Sequence, residues 1–257
     1  MRINRLIGLL VGGLLGLSVG CLQGQIKLSD PLQAESLQKE LSALSTWQAG
    51  ELVSEEAIAM FGYERCFVAE AISDSIFQCM QGNSYRDGCL VSRDSLRYLR
   101  VLHRDATGTI RMGELVCHVA ISEDLLQIFK ALYEAAYPIE RMRLIDLYAG
   151  DDERSMAANN TSGFNYRRIA GSQKLSSHSL GLAVDVNPLY NPYVRWRNDG
   201  SLMVSPQAGR PYANRSATFL YKIERDDLCH RLFRQHGFQW GGSWKRVKDY
   251  QHFEKMQ

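Results

Sequence analysis

The chain predicts an α+β fold in which an antiparallel sheet is flanked by helices. Two apolar stretches, 96–104 and 111–119, are separated by Asp105-Ala106-Thr107-Gly108 and read as a β-hairpin. A helical stretch follows at 122–138. The remaining strands and helices do not alternate as regular βαβ units, which argues against a parallel, doubly wound sheet. No internal repeat interrupts this reading.

In chain order, Arg2 and Arg5 precede an apolar run over residues 6–19 that ends at Gly20-Cys21. A charged start and a short apolar run mark a secretory signal. The run is too short and glycine-rich to read as a membrane span. Leu17-Ser18-Val19-Gly20-Cys21 is similar to a lipoprotein cleavage site, with Ser18 where Leu is usual, so Cys21 is the expected lipidation site. Plain cleavage nearby and an uncleaved anchor are the alternatives. The expected organisation is a signal peptide at 1–20, a polar tether and N-terminal helix at 21–60, and one main domain at 61–257. The protein is expected to be exported and held at the cell envelope or in the periplasm, with the membrane contacted through the N-terminal lipid.

Ala34, Leu37, Leu41 and Leu44 recur at helical spacing over 31–47. Ser122 reads as the N-cap of the next long helix, with Glu123 and Asp124 in its first turn, Leu125, Ile128, Leu132 and Ala136 along one side, and Pro138 at its end. Residues 141–148 read as a strand and 150–163 as a polar loop. Ala183-Val184-Asp185-Val186 reads as a strand. Residues 187–212 read as a long loop, rich in Pro, Tyr, Asn and Arg, of the kind that often serves function; Tyr190, Tyr193 and Trp196 in it are candidates for holding a peptide or sugar, or for packing the loop down. A helix at 227–236 stops at Gly237, and strands at 238–240 and 252–254 close the chain.

The chain has 30 basic and 28 acidic residues. Removal of Arg2 and Arg5 with the signal brings the two into balance, so no nucleic-acid partner is expected. With Cys21 lipidated, Cys66, Cys79, Cys89, Cys117 and Cys229 remain, an odd set that leaves at least one thiol free or paired elsewhere. No Cys-x-x-Cys suggests a structural metal.

The chemistry is concentrated at Ser176-Ser177-His178-Ser179-Leu180-Gly181-Leu182-Ala183-Val184-Asp185 and at Asp249-Tyr250-Gln251-His252. His178 and Asp185 are too far apart for one helix face, so this is not the helical H-E-x-x-H pattern. Strand alternation puts Ala183, Asp185 and Asn187 on one face and Val184 and Val186 on the other, so Asp185 can face a cleft while the valines enter the core. Two imidazoles and one carboxylate suit a catalytic zinc with one open position, and a further carboxylate suits a general base. His103, His118, His230 and His236 read as ordinary surface or core histidines.

Ser-x-His-x-x-Gly-x-Ala-x-Asp, with an acid-x-x-His far downstream, resembles the zinc D-alanyl-D-alanine carboxypeptidase and L-alanyl-D-glutamate endopeptidase family of bacterial cell walls, over roughly residues 97–254. The resemblance implies a hedgehog/DD-peptidase-like fold, Zn2+ held by His178, Asp185 and His252, and Asp249 as the base, where many relatives carry Glu. Glu254 is the next carboxylate for that role. The resemblance also implies a substrate-binding arginine. Ser162-Gly163-Phe164-Asn165-Tyr166-Arg167 is similar to the family's Gly-Tyr-Arg stretch, so Arg167 is the match, for substrate or oxyanion, with Arg168 as fallback. Ser176 is either a turn former or a substrate contact. The implied substrate is a peptidoglycan peptide, hydrolysed at a D-alanyl-D-alanine or L-alanyl-D-glutamate bond. A catalytically silent zinc-binding recognition module, as in the related hedgehog signalling domains, is the alternative, and the presence of Asp249 favours the enzyme.

Overall fold

A computed structural model describes residues 31–169 and 172–256. The expected signal segment, the tether and Cys21 lie outside the described residues. The helices are α1 (Pro31–Thr46), α2 (Glu55–Phe61), α3 (Asp74–Met80), α4 (Val119–Glu134), α5 (Asp152–Ala157) and α6 (Leu228–Gln235). The strands are β1 (Val68–Ala71), β2 (Leu96–Arg104), β3 (Ile110–His118), β4 (Arg141–Met142), β5 (Asn160–Thr161), β6 (Ala183–Asp185), β7 (Tyr193–Trp196), β8 (Leu202–Ser205), β9 (Gln239–Trp240), β10 (Lys248–Asp249) and β11 (His252–Glu254).

The fold is α+β, as expected. Its antiparallel pairing is divided among three small sheets, ordered β1-β2-β3, β10-β7-β8 and β6-β11-β9, and β4 and β5 form a short parallel pair. The expected hairpin is present: β2 and β3 pair from Leu96↔His118 to Arg104↔Ile110. Its turn is held by the Asp105 carboxylate, which accepts from the backbone N–H of Thr107 (2.9 Å) and Thr109 (3.2 Å). β3 runs straight into α4, which buries Ile121, Leu125, Ile128, Phe129 and Leu132. One buried apolar cluster extends from Leu37 on α1 to Phe253 on β11. α1 is fixed to the hairpin by Trp47, whose indole N–H donates to Gly113 O (3.0 Å). At the other end, Phe233 of α6 stacks on Phe253 with centroids 4.1 Å apart, so the β6-β11-β9 sheet is held against the helices.

Several expected boundaries move, each for a local reason. α4 begins at Val119, not at Ser122, because the His118 imidazole accepts from Ala120 N–H (3.1 Å) and caps the helix. Ser122 sits inside it, its hydroxyl bonded to Val119 O (3.0 Å). The helix ends at Glu134, short of Pro138. Residues 141–148 do not form one strand: beyond β4, Glu114 accepts from Arg143 Nε (3.0 Å) and Leu144 N–H (3.3 Å), and Ile145–Tyr148 turn as a 3₁₀ helix. Residues 150–163 are not simply a loop; they contain α5, capped by Asp151, and β5. Residues 187–212 contain the β7–β8 hairpin and a 3₁₀ helix, Gln207–Ala213. All five described cysteines are free. Among the described residues no helix is long and apolar enough to cross a membrane.

His103 on β2 is 3% exposed, and its Nδ1 lies 2.7 Å from Ile139 O. Burial lowers its pKa to about 4. The unfolded chain, with an ordinary imidazole, therefore binds the proton more readily below about pH 6.5, and stability is lost as pH falls from there toward 4. His103→Gln should remove this component: between pH 7.5 and 5, the wild type should lose about 2 kcal/mol more than the variant in urea unfolding. Equal losses would show that His103 does not carry it.

Candidate metal centre

The two sequence motifs meet across one strand pair. β6 and β11 are antiparallel neighbours with His252 directly opposite Asp185. β6 is followed by Val186 and anchored in the core by fully buried Val184 and Val186, so its register fixes where the Asp185 carboxylate points. Asn187, in a left-handed conformation (φ 46), then redirects the chain and bonds Pro138 O through its side-chain amide (2.9 Å).

His178 reaches the same point from a 3₁₀ turn, Ser177–Leu180. The turn is capped by Ser176, whose hydroxyl accepts from His178 N–H (3.3 Å). Ser176 thus forms the turn, the first of its two expected roles. The turn ends at Gly181, with φ 68. A β-carbon there would stand 2.7 Å from His118 N, so both the conformation and the close approach to β3 require glycine.

The donor atoms form a small triangle. His178 Nε2 lies 3.2 Å from His252 Nδ1 and 3.3 Å from Asp185 Oδ1, and His252 Nδ1 lies 3.1 Å from Asp185 Oδ1. The edges of a tetrahedron with metal–ligand bonds of 2.0–2.1 Å are about 3.3 Å long, so the spacing fits one zinc-sized ion. Outer partners fix the rings. His178 Nδ1 donates to Gly163 O (2.7 Å), which leaves Nε2 as a lone pair. His252 Nε2 faces Glu254 Oε2 (3.3 Å), which turns Nδ1 inward, and Ser177 Oγ donates to the same Glu254 oxygen. These three side chains are buried, and they form a metal-competent His/Asp/His group. The donor chemistry, the spacing and the outer partners all fit a metal ion.

The electrostatics follow from burial among opposite charges. Burial opposes ionisation of Asp185, but His178 and then His252 hold its carboxyl well below the usual carboxylate range. Burial disfavours a charged His252, yet Asp185 and Glu254 outweigh it and push the imidazole up to about 10. A proton and a metal ion therefore compete for His252 Nδ1.

Asp249 stands on β10, and its strand partner is Tyr193 of β7. The carboxylate accepts from Gln251 Nε2 (3.2 Å). Burial raises it to about 6, with His252 opposing the rise and Asp185 adding to it. It is therefore close enough to the donor triangle to feel all three of its members. The Trp244 ring lies 5.4 Å from the His252 ring and forms a half-exposed wall beside it.

Arg167 is joined to the motif through its backbone: its N–H donates to Ser179 Oγ (2.8 Å), and its carbonyl accepts from Ser176 N–H (3.1 Å). Its guanidinium pairs with Asp152 of α5 and is not among the donor atoms. Arg168 reaches Gln173 O. Glu254, the fallback base, sits behind His252 as an outer carboxylate. His118 is the α4 cap and His236 pairs with Asp124 (3.0 Å). Tyr190 packs on Tyr212 and Tyr221 (centroids 4.6 and 5.1 Å), so it holds the loop together, whereas Trp196 is 71% exposed. Sequence reasoning missed Trp244, Ser177 and the pairing of Tyr193 with Asp249. For Ser177 the signal was thin, and for the Tyr193 pairing it is long-range.

An α+β chain that brings two imidazoles and a carboxylate to one point, with a half-buried carboxylate alongside, has the build of a metal-dependent hydrolase. Residues 170–255 match the family model described as D-alanyl-D-alanine carboxypeptidase. The match covers the whole donor set and Asp249, and residues 31–169 lie outside it. No curated protein and no solved structure matches the chain.

Proposed function

We propose that the protein is a zinc metallopeptidase that hydrolyses peptide bonds of bacterial cell-wall peptides, of the D-alanyl-D-alanine or L-alanyl-D-glutamate type. The observation that carries this reading is the donor triangle of 3.1–3.3 Å edges formed by His178, Asp185 and His252, with half-buried Asp249 beside it. The family match over residues 170–255 supports the substrate class.

His178, Asp185 and His252 would hold a zinc ion, which would supply a Lewis acid and make water acidic near neutrality, to a pKa of about 7. Asp249 takes the proton of the attacking water and returns it to the leaving amine. Its raised pKa suits both directions of transfer near neutrality. Gln251 holds its carboxylate in place, and Gly163 O and Glu254 fix the two imidazoles. Arg167 is assigned to the substrate carboxylate or the oxyanion; in that role its guanidinium exchanges Asp152 for the substrate. Digestion of purified peptidoglycan, with fragments identified by mass, tests the reading. New peptide termini at one bond type support it, and unchanged peptidoglycan with a metal-loaded protein rejects it.

We further propose export with lipid attachment at Cys21, supported by Arg2, Arg5 and the short apolar run before Gly20-Cys21. Several acyl chains on one cysteine anchor stably where one does not. Cys21→Ser should release the protein from the membrane fraction or block its processing. A variant that partitions and matures like the wild type would leave simple secretion or an uncleaved anchor.

A further inference from the structure

A cavity of about 550 Å³ beside α6 is lined by Arg225, Asp226, His230, Arg231, Arg234 and Ser243. Its positive charge is only partly balanced, by the one carboxylate of Asp226. None of the three guanidiniums pairs with a carboxylate among the described residues. Each is held by a neutral acceptor instead: Arg231 donates to Asp226 O (2.5 Å), Arg234 to Phe238 O (3.3 Å) and Arg225 to Ser243 Oγ (3.3 Å). The groups are thereby positioned, and most of their five N–H donors stay unused.

His230 adds a further donor. It is 6% exposed, and its Nδ1 accepts from Asp226 N–H (2.9 Å). The neutral ring therefore carries its proton on Nε2, which has no acceptor among the described residues. The one carboxylate in the lining, Asp226, is 77% exposed and stands 3.6 Å from His230 Nδ1.

We propose that this cavity is a binding site for a phosphate group. Three guanidinium forks and an imidazole N–H offer more donors than one carboxylate can use, and they match the several acceptor oxygens of a phosphate. The site adjoins the metal centre through one turn. Ser243 ends the 3₁₀ turn Gly241–Ser243, and the next residue is Trp244, whose ring faces His252. Gly241 is pressed against the catalytic side: a β-carbon on it would lie 2.7 Å from Asp249 O and 3.3 Å from His252 Cβ. A phosphate group held here lies next to the turn that carries the Trp244 wall. The proposal stands independently of the peptidase reading.

The test is titration of inorganic phosphate into the metal-loaded protein by calorimetry, for wild type, Arg231→Gln/Arg234→Gln and Arg231→Lys/Arg234→Lys. Phosphate on the metal contributes equally to all three. The Gln variant should bind at least about tenfold more weakly at the additional site, as expected for the loss of charged hydrogen bonds. The Lys variant should fall between, and binding should weaken with salt. Both arginines are exposed, so melting temperatures without phosphate should agree and exclude misfolding. Indistinguishable binding by wild type and the Gln variant, or no second site, would overturn the proposal. Two further arms identify the source: arginine-dependent binding of a soluble glycerol-phosphate polymer assigns a wall polymer, and arginine-dependent binding only to phosphatidylglycerol vesicles assigns a lipid headgroup.

Discussion

His178→Ala is expected to strip the protein of its metal and of its hydrolytic activity together. His178 supplies one corner of the donor triangle, and its ring is 4% exposed and bonded to Gly163 O. Loss of an outer partner of a metal ligand already costs roughly 10–100-fold in affinity, so loss of a ligand itself should exceed that. The remaining pair, His252 and Asp185, would then hold a proton in place of the ion. Elemental analysis after dialysis checks the metal, and cleavage of a peptide ending in D-alanyl-D-alanine, or of peptidoglycan, checks the activity. Zinc retained at the wild-type level would remove His178 from the ligand set. Circular dichroism melting of the variant separates this outcome from unfolding.

Asp249→Asn should separate binding from chemistry. The amide is nearly isosteric and can still accept from Gln251, so fold and metal content should persist. It cannot take a proton, and loss of a general base costs roughly 10²–10⁴-fold in rate. The loss should fall on kcat, with KM little changed, because Asp249 acts in the transition state rather than in holding the substrate. A variant of near-normal rate would move the base elsewhere, with Glu254 the next carboxylate. A wild type with a full metal site and no turnover on any wall peptide would favour the recognition-module reading.

The donor set was legible because its chemistry is carried by residue type and local spacing. His178 and Asp185 bracket a turn that only Gly181 can make, and strand alternation at Ala183–Asp185 sends the carboxylate one way and the valines the other. The hairpin of β2 and β3 was legible for the same reason: Asp105 and Gly108 announce the turn, and the apolar runs beside it have strand length. What was hidden depends on partners far away in sequence. Arg143 and Leu144 have strand-like neighbours, but Glu114 takes their donors and ends the strand. Ser122 looks like a cap, yet His118 reaches the free N–H first. The β7–β8 hairpin had a visible cue in Asp199-Gly200, where Asp199 accepts from Ser201 N–H (2.8 Å); the polar composition of 187–212 concealed it. The pairing of β7 with β10, which puts Tyr193 beside Asp249, has no local signal at all. Nor does the salt bridge that occupies Arg167, since Asp152 lies on a helix too short to show a period.

One metal ion in the His178, Asp185 and His252 triangle is the proposed source of the peptidase activity. The most direct measurement is the rate of wall-peptide hydrolysis as zinc is returned to chelator-treated protein. A single catalytic zinc predicts negligible hydrolysis without metal and a rate that rises linearly and levels off at one zinc per chain. Full activity in the chelated protein, or a plateau reached only at two or more equivalents, would contradict it.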